Sequence, residues 1–427
     1  MNYFYSIPLS AVLILSSCSS YDKQAINLDT NTTEWAQLTQ KLCPAHQKRS
    51  KADLQGIALV LNPELRQARL LHQKSKDVAL QTGYWDDPNL SLDLVRLLKE
   101  NITNGGVGMG FTLPVTGLPQ LAAQVAEQYE EADYWKLAAQ ERDLLTQLEV
   151  QRTLILINHA KLDLQRQHIR TLEQEDARLE GLYRLGEIDF AELQISKQRI
   201  FDTSEEGRLL DNEHLNLHLE LTELLGIHPA AREMELREKL SASIPAAVAG
   251  VSGASLLDSP SLLATRANYD ASELELKTQI RKQYPELGLS PGVEREDGNY
   301  KVGIGFSFSV PAWNRNRAGV AEAKAQRAII GDQFVNEYRR LITQAASLSD
   351  QQQLHLRHCR SELQRAQELR HNLEMKQKLY DLGEIKWSEL TEAKHELYQR
   401  EMAYLDCLKE LYRTQIQLHA LNPHNKI

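Results

Sequence analysis

Aromatic residues make up only 6% of this 427-residue chain, and no stretch of about 20 consecutive apolar residues occurs. That excludes a polytopic helical membrane protein. Glycine and proline are thin (21 and 13), while Leu, Glu, Gln, Ala and Arg fill long stretches, a composition of long helices and not of a β-sandwich. Positive charge is also short: 49 Lys and Arg face 58 Asp and Glu, and a net charge of -9 argues against a nucleic-acid binder. The four cysteines show no CxxC spacing, so neither a zinc nor an iron–sulfur site has support. No nucleotide-cradling loop, nucleophile elbow or paired catalytic acids can be picked out. An enzyme reading and a cofactor therefore have no residues to stand on.

The N-terminus sets a compartment. The apolar stretch from Ile7 to Leu15 is too short to span a bilayer as a mature helix and reads as the core of a signal peptide over residues 1–17. It ends in Leu15-Ser16-Ser17-Cys18, which resembles a bacterial lipobox, although no Lys or Arg precedes it. The resemblance implies that Cys18 receives a diacylglycerol thioether and becomes the new N-terminus. Ser19, rather than Asp, implies sorting to the outer membrane. Two acyl chains, at about 0.8 kcal/mol per buried CH₂, anchor a protein stably. A non-lipidated signal peptide is the alternative. Residues 18–61 are then a lipidated N-terminal segment.

Self-similarity organises the rest. One offset of 197 residues recurs, as from Pro63 to Pro260. It carries Asn62-Pro63-Glu64-Leu65 onto Ser259-Pro260-Ser261-Leu262, Pro88-Asn89-Leu90 onto Pro285-Glu286-Leu287, and Phe111-Thr112-Leu113-Pro114 onto Phe308-Ser309-Val310-Pro311. It also carries Leu182-Tyr183-Arg184-Leu185-Gly186-Glu187-Ile188 onto Leu379-Tyr380-Asp381-Leu382-Gly383-Glu384-Ile385. Nine of the sixteen positions from Leu182 to Lys197 are identical to their partners, so the chain is a duplication without net insertion. Repeat one covers 62–226 and repeat two 259–422, joined by a Pro/Ala/Ser/Gly-rich linker over 227–258 and followed by a tail at 423–427.

Each repeat has the same order of elements. A helix of about 24 residues is predicted after Pro63 and after Pro260, since proline suits a first helical turn. Two strands follow. From Gly106 to Leu113, Val107, Met109, Phe111 and Leu113 alternate with Gly and Thr; from Lys301, Val302, Ile304, Phe306, Phe308 and Val310 alternate with Lys, Gly and Ser. The preceding strands, near Leu90–Leu94 and Leu287–Val293, look shorter, or broken by Pro291. One apolar and one small-polar face over about ten residues fits a transmembrane barrel, with Val107, Met109, Phe111, Ile304, Phe306 and Phe308 toward lipid. An edge hairpin of a soluble sheet is the alternative. Four strands cannot close a barrel that needs about eight, so either no membrane is involved or several chains share one barrel.

Long helices come next. A stretch from Pro119 to about Gly181 lacks interior proline and glycine, and at 1.5 Å per residue spans roughly 95 Å. Arg317 to Leu382 repeats it, with Gly319 and Gly331 near its start. Return helices over about 189–225 and 386–421 are shorter. Each should stack on the opening helix of its repeat to match one long rod in height. The fold class is thus mainly α with a small β part.

In this order of elements the chain resembles the TolC-like outer-membrane efflux proteins, over essentially all of its mature length. The resemblance implies a homotrimer in which three times four strands give a shared twelve-stranded β-barrel above a periplasmic α-barrel of coiled hairpins. It implies a passive exit duct, lipid-anchored in the outer membrane, for a tripartite system with a periplasmic adaptor and a proton-driven inner-membrane pump. Val310-Pro311-Ala312-Trp313-Asn314-Arg315-Asn316-Arg317 looks like the segment after the last strand in the cobalt-zinc-cadmium efflux branch, though Ala318 precedes Gly319 where that branch often has glycine earlier. Divalent heavy-metal cations are therefore one candidate cargo and drugs or peptides another. A lipid-anchored periplasmic coiled-coil scaffold without a pore is the competing reading.

Several residues acquire roles by this resemblance. The tips, Leu182, Tyr183, Leu185, Gly186 and Ile188 with Leu379, Tyr380, Leu382, Gly383 and Ile385, would dock the adaptor, or else only pack the hairpins shut. Glu389 and Glu392 fall where the family places gating acids. Spaced i, i+3 they share a helix face, and three copies would make carboxylate rings that favour cations. Acids in a first turn are equally stabilised by the helix dipole. In repeat one Glu192 matches Glu389, within a capping pattern begun by Asp189, and Ile195 replaces the second acid. Cys359 and Cys407 each lie 24 residues from Gly383, so a hairpin turning there sets them level: a disulfide, or two buried thiols. His214 and His218 are i, i+4 and His355, His358 and Cys359 cluster on one helix, but scattered histidines produce such pairs and no metal site is expected.

Overall fold

The computed structural model describes residues 21–424 apart from 45–46, 98–101, 230–233, 242, 297–298 and 311–312. The signal peptide, Cys18, and Pro311 with Ala312 of the segment after the last strand lie outside the described residues.

The chain runs α1 (Leu28–Leu42), α2 (Lys51–Leu61), α3 (Pro63–Gln81), β1 (Asn89–Leu97), β2 (Ile102–Leu113), α4 (Leu118–Leu185), α5 (Phe190–Leu225), α6 (Gly253–Leu256), α7 (Pro260–Arg281), β3 (Leu287–Glu296), β4 (Asn299–Phe308), α8 (Arg317–Asp381) and α9 (Trp387–Leu421). α4 and α8 hold 68 and 65 residues, each about 100 Å of rod. α3 and α5 both pack on α4, as do α7 and α9, which also pack on α8. The helices therefore form a single-layer wall of four columns: α3 stacked on α5, then α4, then α7 stacked on α9, then α8.

Some boundaries differ from the sequence expectation, for local reasons. α3 and α7 have 19 and 22 residues rather than about 24, and α3 ends beside Gly83, whose φ of 100° turns the chain away. The stacked pairs consequently fall short of the continuous rods. α4 runs through Gly181 and stops at Leu185, because Gly181 keeps helical φ and only Gly186, at φ 76°, takes the left-handed turn. β1 extends to Leu97, past the expected Leu94. β3 is continuous through Pro291, which sits opposite Ile304. The β4 side of the ladder is unbroken there, while the β2–β3 pairing is interrupted between Gly108↔Gly292 and Phe111↔Leu289, where the proline has no N–H to offer, so the missing bond falls on the β2 side alone. β4 ends at Phe308, which leaves Val310 beyond the strand.

The expected linker is a strap. Ile227, Met234 and Leu236 are buried in a core with Leu54, Ile57, Leu144, Leu148 and Leu221. Arg49 pairs with Leu236 in a short parallel bridge. Further on, Gln352 of α8 grips both backbone groups of Val248, at 2.8 and 3.0 Å, and Gln415 of α9 donates to the Ala246 carbonyl at 2.9 Å. Extended backbone that packs on a helix must find side-chain partners, and these two glutamines supply them.

Where α5 ends and α3 begins, two helix termini meet in mid-wall. Asn62 serves both. Its side-chain oxygen accepts the Leu65 N–H at 2.9 Å, capping α3, while its amide donates to the Leu224 carbonyl at 2.9 Å at the end of α5. Gly226, at φ 66°, closes α5, and Trp35 of α1 donates to its carbonyl at 2.8 Å. A Cβ on Gly226 would lie 2.5 Å from the Leu61 carbonyl oxygen. Gly226→Ala should therefore cost about 1–3 kcal/mol, through left-handed strain and that clash. Thermal unfolding in detergent checks this against Gly181→Ala, which meets nothing within 4 Å and should raise the midpoint.

Candidate functional site

The β-sheet is an antiparallel meander in the order β1-β2-β3-β4, and its register sorts residues by face. Leu92, Val107, Val293 and Val302 stand in one row across the four strands; Leu90 and Met109 lead to Pro291 and Ile304; Phe111, Leu289 and Phe306 form the next, and Leu113, Leu287 and Phe308 the last. All six residues expected to face lipid thus share one side. The intervening rows, such as Ser91, Gly108, Gly292 and Gly303, are small or polar. The apolar side is uncovered: Leu92 is 72%, Val302 81% and Phe306 70% exposed. Aromatic residues mark both ends, with Tyr84, Trp85 and Tyr284 exposed beside the helices and Tyr300 at the far end, where the Arg295 guanidinium lies 5.9 Å from its ring.

At the opposite end of the wall the two tips have one geometry. The Gly186 N–H donates to the Tyr183 carbonyl and the Glu187 N–H to Leu182, both at 3.0 Å; Gly383 donates to Tyr380 and Glu384 to Leu379, both at 2.9 Å. Each glycine has φ 76°. These are Schellman closures, which spend the last helix carbonyls and turn the chain sharply. Leu185 and Leu382 are left exposed at the apex, while Ile188 and Ile385 are half-buried.

Above the tips, α9 is fastened to the first hairpin by polar links between helices. Glu392 pairs with Arg199 of α5, and Lys394 with Glu175 of α4, which also accepts from the Thr391 hydroxyl at 3.2 Å. Tyr398 donates to Glu206 at 3.0 Å, Lys161 pairs with Asp406, and Lys409 with Glu213 at 2.9 Å. Glu175 is buried, so removing Lys394 would strand a charge, whereas the exposed Arg199–Glu392 pair is the weaker member. His168 stacks on Tyr398 with ring centroids 4.2 Å apart, and burial, with His395 beside it, holds it down at about 4, so it stays neutral.

The acids singled out from the sequence fall together in part. Glu389 and Glu392 line one small cleft with Ile195, Arg199, Lys376 and Trp387. Glu192 sits elsewhere on α5, in the first turn that Asp189 caps by accepting the Glu192 N–H at 2.9 Å. Cys359 of α8 and Cys407 of α9 are joined by a disulfide with Cα atoms 5.5 Å apart. Among the histidines, His355 and His358 therefore have no free thiol beside them. His214 and His218, however, gain His159 from α4, a partner 55 residues upstream that no local spacing signals.

Residues 251–422 match the model of the outer membrane efflux protein family. Solved structures match over both repeats. CusC, described through the conformational changes that accompany folding and transmembrane channel formation, is 18% identical, with a TM-score of 0.74 over 89% of this chain and 95% of that one. VceC, an outer membrane protein of Vibrio cholerae, is 16% identical, with a TM-score of 0.72 over 91% and 98%. The CmeC outer membrane channel of Campylobacter jejuni is 11% identical, with a TM-score of 0.74 over 96% and 94%. This chain has the TolC-like channel fold. No curated protein sequence matches it. The family match covers the second repeat, and the shared tip geometry and strand pairing extend the likeness to the first.

The disulfide gives a direct test. In denatured protein without reductant, maleimide should label the buried free thiol of Cys43, leaving Cys18 aside, and reductant should expose two more. With a sequence separation of 48, loss of the bridge should cost about 4 kcal/mol by the loop-entropy relation, read as a lower unfolding midpoint of Cys359→Ser with Cys407→Ser.

Proposed function

We propose that the chain forms, as a homotrimer, the outer-membrane exit duct of a tripartite efflux system, conducting its cargo passively from periplasm to exterior. The observation that carries this reading is the sheet: four strands with one face apolar from the Leu92–Val302 row to the Leu113–Phe308 row, aromatic residues at both ends and two unpaired edges, β1 and β4. In water such a sheet would aggregate; in a bilayer it needs closure, and three copies supply twelve strands. The wall has matching open sides. Exposed Leu209, Leu215 and Phe201 on α5, and Ile329, Leu354 and Met375 on α8, face away from the protomer's own columns and would be covered where α8 of one copy meets α3 and α5 of the next.

In this reading Leu185 and Leu382, with the apolar residues around Gly186 and Gly383, present the docking surface for a periplasmic adaptor, which couples the duct to a proton-driven inner-membrane pump. Glu389 and Glu392 become rings about the three-fold axis, Glu192 adds a further acid outside their cleft, in the first turn of α5, and the Arg199–Glu392 pair holds α9 inward. A cation-favouring ring suits divalent heavy-metal cargo among other solutes. Cys18 would carry the lipid anchor.

Planar-bilayer conductance with mass measurement in detergent tests this. A trimer giving discrete cation-selective steps is the expected result, with larger conductance in Arg199→Ala and reduced cation selectivity in Glu389→Ala with Glu392→Ala. A monomer without conductance, freed from membranes when the anchor is removed, would leave the pore-free scaffold standing.

A further inference from the structure

A cluster at mid-height of the wall is left unused by the channel reading. His159 of α4 and His214 and His218 of α5 each offer a ring nitrogen, and the three atoms lie within 4.8 Å of one another. The rings are packed together, with centroids 4.7 Å apart for His159 and His214 and 4.5 Å for His214 and His218.

Two details distinguish this trio from histidines that merely pack. The Nε2 of His218 is buried without a hydrogen-bond partner, an uncompensated polar atom of the kind native interiors rarely leave. In addition, Asn158 Oδ1 lies 3.1 Å from His214 Nδ1, an arrangement that fixes the proton there and leaves His214 Nε2 as a lone pair. Asn158 is itself fixed, donating to the Leu210 carbonyl at 3.2 Å. Around the cluster stand Asp163, Asp211 and Glu235, opposed by Arg166.

We propose that His159, His214 and His218 bind one divalent transition-metal ion of the zinc type per chain, clamping α4 to α5. Imidazole nitrogens hold Zn²⁺ at about 2.0–2.1 Å, which places ligating nitrogens about 3.4 Å apart in a tetrahedron. Closing from 4.8 Å takes a rotation of the exposed His159 ring, and the fourth position falls to water. The clamp has a counterpart. His159 and His214 lie 27 and 28 residues from the Gly186 tip, and the Cys359–Cys407 disulfide ties the second hairpin 24 residues from Gly383. Each hairpin is thus cross-linked near one height, covalently in repeat two and through a metal in repeat one. The inference stands apart from the identity of any cargo and from the presence of a pore.

The test is Zn²⁺ titration of tag-free, chelator-stripped protein in detergent against a chromophoric competitor, with Co²⁺ absorption reporting tetrahedral geometry. One tight equivalent per chain is expected. His159→Ala, at an exposed position that leaves the fold intact, should remove that equivalent and the Co²⁺ bands, while His355→Ala with His358→Ala keeps both. Asn158→Ala should weaken binding about 10- to 100-fold without changing the count. An unchanged equivalent in His159→Ala, or no stoichiometric binding by the native protein, would overturn the site.

Discussion

A wall one helix thick has little interior, and every helix end inside it leaves backbone groups that water cannot easily reach. The architecture depends on how those ends are satisfied where short helices stack. Asn62 caps α3 and reaches back to the end of α5, so one side chain satisfies two termini. In the second repeat the partner position is Ser259, which makes no side-chain cap. There Arg142, from the continuous rod α4, donates to the carbonyls of Ala420, Asn422 and Pro423 at the end of α9. A cation at a helix C-terminus also meets the negative end of the dipole. The uninterrupted rods therefore act as splints for the interrupted ones.

The same shortage of interior explains the strap. The buried residues around Leu54, Leu144 and Leu221 include Ile227, Met234 and Leu236 from between the repeats, so the middle of the wall gains a core only because α2 and the strap cover it. A second cluster places Ile157 of α4 against Leu356, Cys359, Cys407 and Leu411. Here α4 is covered on nearly all sides from Gln151 to Asn158, the one stretch where the rod behaves like a helix in a globular core. Polar links along α9 continue that attachment toward the tips.

Much of this was legible because duplication and period leave marks in one dimension. Gly186 and Gly383 announce left-handed caps, and alternation at Val107, Met109 and Phe111 announces a two-faced strand. What was not legible depends on pairings between distant segments. Pro291 reads as a strand breaker until its place opposite Ile304 shows that the β3–β4 ladder carries the strand through while only the β2 side is interrupted. Composition around Ala246 and Val248 suggests a loose linker, since nothing local records that Gln352 and Gln415 await their backbone groups. The pair His214 and His218 looks incidental until α4 brings His159 beside it. Cys359 and Cys407 were visible because a hairpin is symmetric about its turn, which makes distance along the chain a measure of height.

The two ends of the molecule set opposite demands. The apolar face running from Leu92 to Val302 and from Phe111 to Phe306 has no partner within the protomer, and its burial must come from outside. Lipid can cover that face but cannot satisfy the edge N–H and C=O groups of β1 and β4, because hydrocarbon offers no hydrogen bonds. Only other strands can. In the proposed trimer, copies of the sheet would therefore be needed as much as a bilayer, and the open sides of the helical columns carry exposed apolar residues such as Leu209 and Ile329. Closure of the strands would bring those sides together, so that assembly at one end draws the wall shut at the other. In that trimer, the partly exposed Arg199–Glu392 link would break at lower cost than the buried tie at Glu175.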